Sequence, residues 1–295
     1  MIFANGDSWT FGSEMVAPEF LAKDGKGIGM GNRFTFDGAD YHPSNDYYRI
    51  PRIWPSCLAN SMGDDVVNIS WPARSNDTIF RSTIEWLQAN YINPKRDTAD
   101  LTVLIGWSSQ ERKLMLFEDL DEKLYEYTIW PAMQETKYYD HPMVKKYFQL
   151  HVTHLWTQRE SLTRYIEQNF ALHLFCKKHN IKHHFFNCFY VPKGEGGNFN
   201  HWKDISIEAA IKGLYDVPVS GWQDPYYSDK NEVNRILWMW ESIPADVFLN
   251  KHSGLSFKGY VEQVLPHELR WCGIHPSPEA HKAWASYLLE QIVKS

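Results

Sequence analysis

A serine and a histidine near opposite ends of the chain have the residue types and local settings of a nucleophile and its base. Ser8 follows an apolar run at residues 2–4 and a glycine, Gly6, so a short buried strand would end there in a sharp turn. A hydroxyl on such a turn is lifted out of the sheet, where a substrate can meet it. His275 lies just before the last helical segment. An imidazole that takes the hydroxyl proton as the oxygen attacks a carbonyl is the chemistry of acyl transfer.

The turn at Ser8 also fits an ordinary strand-to-loop connection, because Gly, Asp and Ser all favour turns. The rest of the chain predicts elements that would position the serine for chemistry. Strand and helix patterns alternate, which predicts a parallel sheet covered by helices on both faces, with its working site at the carboxyl ends of the strands. The predicted strands are Ile2–Asn5, Val66–Ile69, Leu101–Ile105 and His184–Asn187, and the predicted helices cover 75–91, 143–180 and a last segment starting at Ser277-Pro278.

We expect residues 1–295 to form a single domain, because the chain has no internal repeat and no low-complexity linker. Three stretches rich in Gly, Pro, Asp and Tyr depart from the strand and helix pattern, at about 13–48, 113–142 and 192–260. Such excursions gather at the carboxyl ends of the strands in open α/β sheets. We therefore expect them to surround Ser8.

Composition excludes several classes of function. The net charge of −6 and the pI of about 6.1 disfavour a general nucleic-acid binder, which needs a basic face. The apolar runs are too short for a transmembrane helix, and the start of the chain lacks a signal-peptide pattern, so we expect a cytoplasmic protein with no membrane partner. The four cysteines form no CxxC pair and the histidines no HExxH spacing, which predicts reduced thiols and no metal site.

Four sequence blocks in fixed order resemble the SGNH (GDSL-type) hydrolase superfamily. The blocks are NGDSWTFG, NISWPARSN, IGWSSQER and CGIHPSPEAH. The resemblance implies a flavodoxin-like three-layer α/β/α fold and ester hydrolysis without a cofactor. It implies Ser8 as nucleophile and His275 as base, with Ala73 and Ser108 at oxyanion-hole positions where the family usually has glycine and asparagine. The form of the third block is similar to that of uncharacterised phage-encoded and bacterial members, so the chain could be virus-encoded.

The chain departs from the family pattern in ways that bear on catalysis. Ala73 keeps the backbone N–H that a glycine would supply, and Ser108 can donate only through a shorter side chain than asparagine, so Asn76 is an alternative donor. The acid that normally precedes the histidine by three residues is replaced by Cys272. We expect His275 to be oriented by a main-chain carbonyl in the 271–273 turn or by an acid from a distant loop.

The sequence as a whole predicts a serine esterase that cleaves a carboxylic ester. Aromatic residues make up 15% of the chain, and some lie among polar residues in the tracts 192–204 and 221–229, which favours an O-acyl, for example O-acetyl, group on a carbohydrate as the substrate. A lipid ester or thioester is an alternative substrate for the same fold. The altered oxyanion positions and the missing acid leave a third possibility, a glycan-binding descendant that no longer cleaves its ligand.

Overall fold

The computed structural model describes residues 1–23, 33–118, 124–130, 142–189, 205–215 and 229–294. Within these ranges the strands are β1 (Ile2–Gly6), β2 (Val66–Asn68), β3 (Thr102–Trp107), β4 (Lys113–Glu118), β5 (Leu124–Ile129), β6 (Lys182–Asn187), β7 (Trp271–Cys272) and β8 (His275–Pro276). The helices are α1 (Ser8–Phe11), α2 (Asp46–Arg49), α3 (Trp54–Met62), α4 (Asn76–Leu87), α5 (Pro142–Leu150), α6 (Gln158–Lys178), α7 (Ile207–Tyr215), α8 (Asp229–Glu241), α9 (Phe257–Val264) and α10 (Pro278–Lys294).

The central sheet is parallel, in the order β2-β1-β3-β6. Ile2 pairs with both Val66 and Thr102, and Thr102 pairs in turn with Lys182, so all four strands run in the same direction. Each of these four strands lies within two residues of its predicted bounds. The predicted α/β fold, a parallel sheet between helical layers, is therefore confirmed.

Side chains of the sheet alternate between two apolar cores, as strand geometry requires. Phe3, Ile105 and Phe185 face a core that includes residues of α4, α6, α7 and α8. Leu104 and Phe186 face a second core, built with α3, α9 and α10. Helices thus cover both faces of the sheet, which explains the continuous apolar runs in β1 and β3.

Gly6 allows the first helix to begin directly at the end of β1. A Cβ atom at Gly6 would overlap the Thr10 hydroxyl of α1 and lie 2.8 Å from the carbonyl oxygen of Gly106 on the neighbouring strand. A side chain at this position would therefore push α1 away from the sheet. The close approach fixes Ser8, the first residue of α1, at the carboxyl edge of the sheet.

The helical region predicted over 143–180 is broken in the structure. After α5, residues 151–155 form a wider π turn, Trp156 is extended, and α6 begins behind an N-cap at Thr157. The Thr157 hydroxyl accepts the N–H of Glu160 at 3.0 Å, which supplies a partner for one of the N–H groups that a helix start leaves free. The apolar spacing continued across this break, so the pattern alone did not reveal it.

The excursions contribute short elements around the sheet. The described parts of 13–48, which leave out 24–32, contain three 3₁₀ turns and part of α2. Residues 113–142 include the antiparallel hairpin of β4 and β5. The stretch 192–260 supplies α7, α8 and part of α9, while its aromatic tracts 192–204 and 221–228 lie outside the described residues. No helix in the described ranges has the length and apolar character needed to cross a membrane.

Candidate active site

Ser8 lies at the start of α1, where the first turn of a helix leaves N–H groups without helical acceptors. Asp7 caps this helix, and its Oδ1 accepts the N–H of Trp9 at 3.0 Å. The cap holds the backbone of the turn in place around the serine. Because Ser8 is the first residue of α1, its N–H has no acceptor within the helix.

His275 is paired with a carboxylate that the family pattern did not indicate. Its Nδ1 lies 3.0 Å from Oε2 of Glu14, and both side chains are buried. Because a carboxylate can only accept a hydrogen bond, Nδ1 carries the proton and Nε2 is left as the basic nitrogen. The same Glu14 oxygen accepts the backbone N–H groups of Ile274 at 2.7 Å and His275 at 3.1 Å. Glu14 thus fixes the tautomer and the orientation of the imidazole together.

Glu14 adopts an uncommon backbone conformation that its neighbours stabilise. Its φ is 63°, in the left-handed region that is unfavourable for a residue with a Cβ. Oδ2 of Asp40 accepts the Glu14 N–H at 3.1 Å. Asn45 in turn donates to the carbonyl oxygens of Met15 and Asp40 and accepts the N–H of Ala17, which ties the 38–46 segment to the loop that carries Glu14.

The two buried acids, Glu14 and Asp40, have pKa values shifted in opposite directions. Burial acts to raise the pKa of Glu14, but the hydrogen bonds from His275 and Ile274 outweigh it, and the pKa of Glu14 lies below its ordinary value. Burial raises the pKa of Asp40, and the hydrogen bond from the Glu14 N–H only partly opposes it. Glu14 is therefore the stable anion beside His275, and Asp40 acts on the backbone of Glu14.

Gly273 provides the space that the Glu14 carboxylate occupies. Its φ is 83°, and a Cβ atom there would overlap both carboxylate oxygens of Glu14 and Nη1 of Arg33. The β7–β8 turn can therefore approach Glu14 only if this position has no side chain. The glycine and the His275 that follows it form one structural unit with the acid.

Cys272 does not orient the histidine, which corrects its assignment as a possible orienting position. Its Sγ is 3.2 Å from the carbonyl oxygen of Pro276 and makes longer contacts with the carbonyl oxygens of Ser13 and His275. Burial raises the pKa of Cys272 to about 12, so the thiol stays neutral. A main-chain carbonyl of the 271–273 turn is not the partner of Nδ1 either, and an acid from a distant loop, Glu14, takes that place.

Ala73 has the backbone shape expected of the glycine it replaces. Its φ is 62°, and it is exposed in the turn between β2 and α4. The two side-chain donors expected near it are engaged elsewhere. The Ser108 hydroxyl lies 2.6 Å from Oδ2 of Asp7, to which it donates its single proton. The Asn76 amide donates to the carbonyls of Ser108 at 3.2 Å and Ser109 at 3.5 Å, and its Oδ1 accepts the Ser108 N–H at 2.8 Å.

Arg112 approaches the same place from the loop that follows β3. Its Nη1 donates to Oδ2 of Asp7 at 3.0 Å and to the carbonyl oxygen of Arg74 at 3.3 Å. The guanidinium carbon lies 5.1 Å from the ring centre of Trp130 and 5.6 Å from that of Phe189, within the range of cation–π attraction. The cation therefore balances the buried Asp7 carboxylate at the edge of the site.

Exposed aromatic side chains flank the Ala73 turn. Trp71 is 51% exposed and Tyr41 is 44% exposed, and their ring centres are 6.2 Å apart. Trp71 also packs against Phe11 of α1, with ring centres 5.3 Å apart. A flat apolar surface is thus fixed next to the proposed oxyanion position.

His281, His173 and His183 make structural hydrogen bonds away from Ser8 and His275. Nδ1 of His281 accepts the N–H of Trp54 at 3.1 Å, and burial lowers the pKa of His281 to about 3, so it is a neutral capping group. His173 and His183 bond to each other at 2.9 Å within the core. Within the part of the chain that the structure describes, no three His, Cys, Asp or Glu side chains come together as a metal site.

The sequence predicted an acid from a distant loop as one of two alternatives, but it did not identify Glu14 as that acid. Glu14 is a single charged residue next to the apolar run Met15-Val16-Ala17, and all four residues are buried. An ionisable side chain in such a run needs a partner in the fold. That pattern was the available signal, although it did not identify His275 as the partner.

One family model matches residues 36–194, more than half of the sequence. The chain belongs to the family of unknown function DUF6071. In this member of DUF6071 the matched stretch contains Ala73, Asn76 and Ser108, whereas Ser8, Glu14 and His275 lie outside it. No curated protein matches the sequence.

Solved structures similar to this DUF6071 chain are named for ester hydrolysis. A chain from Desulfitobacterium hafniense assigned to the lipolytic G-D-S-L family is 13% identical, with 98% of each chain covered and a TM-score of 0.39. The psychrotrophic esterase EstA from Pseudoalteromonas sp. is 11% identical, with 99% and 96% covered and a TM-score of 0.40. A carbohydrate esterase is 11% identical, with 100% and 68% covered and a TM-score of 0.42. All three TM-scores are below 0.5, so these similarities do not assign a function to the chain.

Proposed function

We propose that the chain is a serine esterase whose catalytic residues are Ser8, His275 and Glu14. The observation that carries the proposal is the buried contact of 3.0 Å between Nδ1 of His275 and the Glu14 carboxylate. That contact leaves Nε2 as a base, and strand β8, which carries the histidine, contacts the helix that Ser8 begins. A base, its orienting acid and a hydroxyl at a helix start are the parts of an acyl-transfer site.

In the proposed reaction, Ser8 Oγ attacks the ester carbonyl while Nε2 of His275 takes the hydroxyl proton. The imidazolium that forms is stabilised by Glu14 and then gives the proton to the leaving alcohol, which leaves an acyl group on Ser8. Water, activated by the same nitrogen, releases the acid and restores the serine. The N–H groups of Ser8 and Ala73 would hold the tetrahedral oxyanion, and one such donor is typically worth about 3 kcal/mol.

We further propose an O-acylated carbohydrate as the substrate. The exposed Trp71 and Tyr41 provide flat apolar surface beside the Ala73 turn, and aromatic surface next to polar groups suits a sugar ring. A lipid ester or thioester would use the same catalytic residues. The test is therefore a substrate panel that contains acetylated sugars, a lipid ester, a thioester and a small p-nitrophenyl ester. Trp71→Ala should reduce turnover of an acetylated sugar more than that of a small p-nitrophenyl ester, because the small ester does not reach the aromatic pair.

Two observations favour a second candidate, a glycan-binding protein without turnover. The hydroxyl of Ser108 and the amide of Asn76, which the family resemblance would place at the oxyanion, are bonded to protein groups. The two candidates differ in what Ser8→Ala does. In an esterase this variant should lose hydrolysis of every ester in the panel while it keeps its fold. A wild-type protein that binds acetylated sugars, hydrolyses none of the panel and loses nothing on Ser8→Ala would be the binding protein.

A further inference from the structure

Arg112 lies between the two turns that carry the proposed main-chain oxyanion donors. Nη1 bonds to the side chain of Asp7, which directly precedes Ser8, and to the carbonyl of Arg74, which directly follows Ala73. One guanidinium group therefore bridges the β1–α1 turn and the β2–α4 turn.

The guanidinium group has donors to spare. It presents five N–H groups in a planar fork, and its bonds to Asp7 and to the Arg74 carbonyl both use Nη1. Asp7 is fully buried, with 0% side-chain exposure, whereas the Arg112 side chain is 15% exposed. The arginine therefore lies on the solvent side of the acid, with Nε and Nη2 not needed to hold Asp7.

The Asp7 carboxylate accepts hydrogen bonds from other groups besides Arg112. Its Oδ1 accepts the Trp9 N–H, and its Oδ2 also accepts the Ser108 hydroxyl at 2.6 Å. Ser108 thus donates its hydrogen bond to Asp7, whereas an asparagine at this position would donate to the oxyanion. The aromatic rings of Trp130 and Phe189 hold the guanidinium group by cation–π contacts, so its fork is fixed before a substrate binds.

We propose that Arg112 is a catalytic residue that donates a charge-assisted hydrogen bond to the oxyanion, in place of the side-chain donor that Ser108 no longer supplies. This proposal rests on the proposed esterase function. Negative charge on the former carbonyl oxygen grows only as the tetrahedral intermediate forms, so the cation would stabilise the transition state more than the bound ester. Removal of Arg112 should therefore lower kcat more than it raises KM.

The test compares Arg112→Met with Arg81→Met, a matched control on the exposed face of α4, where Arg81 pairs with Glu126 and Glu85. Arg112→Met should lower kcat about 100- to 1,000-fold, with KM within about threefold of wild type. An alkylboronic acid, which forms a tetrahedral anionic adduct with the nucleophile, should bind more weakly by a similar factor. Arg81→Met should change neither kcat nor the affinity for the boronic acid.

A purely structural role, neutralisation of Asp7, is separated by the double variant Asp7→Asn/Arg112→Met. Asparagine keeps the helix cap and removes the charge that would need a counterion. If Arg112 is an oxyanion donor, Arg112→Met should lower kcat by the same factor in the Asp7→Asn protein as in wild type. No further loss in the double variant, or an unchanged boronate affinity in Arg112→Met, would overturn the proposal. Absence of turnover in wild type would instead overturn the esterase function itself.

Discussion

Replacement of Glu14 by glutamine removes the charge beside His275 with little change of shape. The amide oxygen can still accept the Nδ1–H and the two backbone N–H groups, so the tautomer is kept. What is lost is the attraction between the carboxylate and the imidazolium. At the observed 3.0 Å and an effective dielectric constant of about 20, this attraction is about 5 kcal/mol. Both side chains are buried, so solvent and salt screen little of it.

We therefore expect kcat of Glu14→Gln to fall about 100- to 10,000-fold, which corresponds to a loss of about 3–5 kcal/mol in the transition state. KM should change little, because the imidazolium exists only after attack begins. Steady-state hydrolysis of a p-nitrophenyl ester measures both values, and circular dichroism with thermal melting checks the fold. A Glu14→Gln protein with kcat within about threefold of wild type would refute the role of Glu14 as the triad acid.

Three further substitutions probe the surroundings of the site. Gly273→Ala should lower kcat by displacing the Glu14 carboxylate, seen as a loss in hydrolysis at a retained melting transition; unchanged kcat would contradict the packing at Gly273. Cys272→Ala should keep kcat within about tenfold, because the thiol contacts only main-chain carbonyls, and a near-complete loss would make the thiol the orienting group. Burial raises the pKa of Glu111 from 4.5 to about 7, so the folded state holds a proton that the unfolded state releases in that window, and stability falls as pH rises through it. Glu111→Gln should remove this penalty, raising the unfolding free energy near pH 8 by up to about 3 kcal/mol and leaving it unchanged near pH 4 in urea titrations; parallel pH profiles of the two proteins would contradict it.

The sequence predicted the parts of the molecule that local patterns encode. Strands β1, β2 and β3 each contain a short apolar run, and α10 begins at the predicted Ser277-Pro278 pair, whose serine accepts the N–H of Ala280. These features depend on residues close together in the chain. Burial on both faces of a parallel sheet and a helix cap each leave a mark that can be read without the fold.

The pairing of Glu14 with His275 could not be read in the same way, because the two residues are 261 positions apart. The contact depends on the αL conformation of Glu14, on Asp40 holding its N–H, and on the missing side chain of Gly273. Each is a tertiary condition with no periodic signature. The same holds for Ser108, where the expected donor is consumed by Asp7, a residue on a different strand end.

Reaction with a fluorophosphonate tests the central claim most directly, because the probe bonds to a serine only when a neighbouring base activates its hydroxyl. We expect one probe per chain in the intact mass of wild type, with the adduct on Ser8 in the peptide spectrum. We also expect no adduct on Ser8→Ala and much slower labelling of Glu14→Gln. An unlabelled wild-type protein, or an adduct on another serine that persists in Ser8→Ala, would contradict the proposed nucleophile.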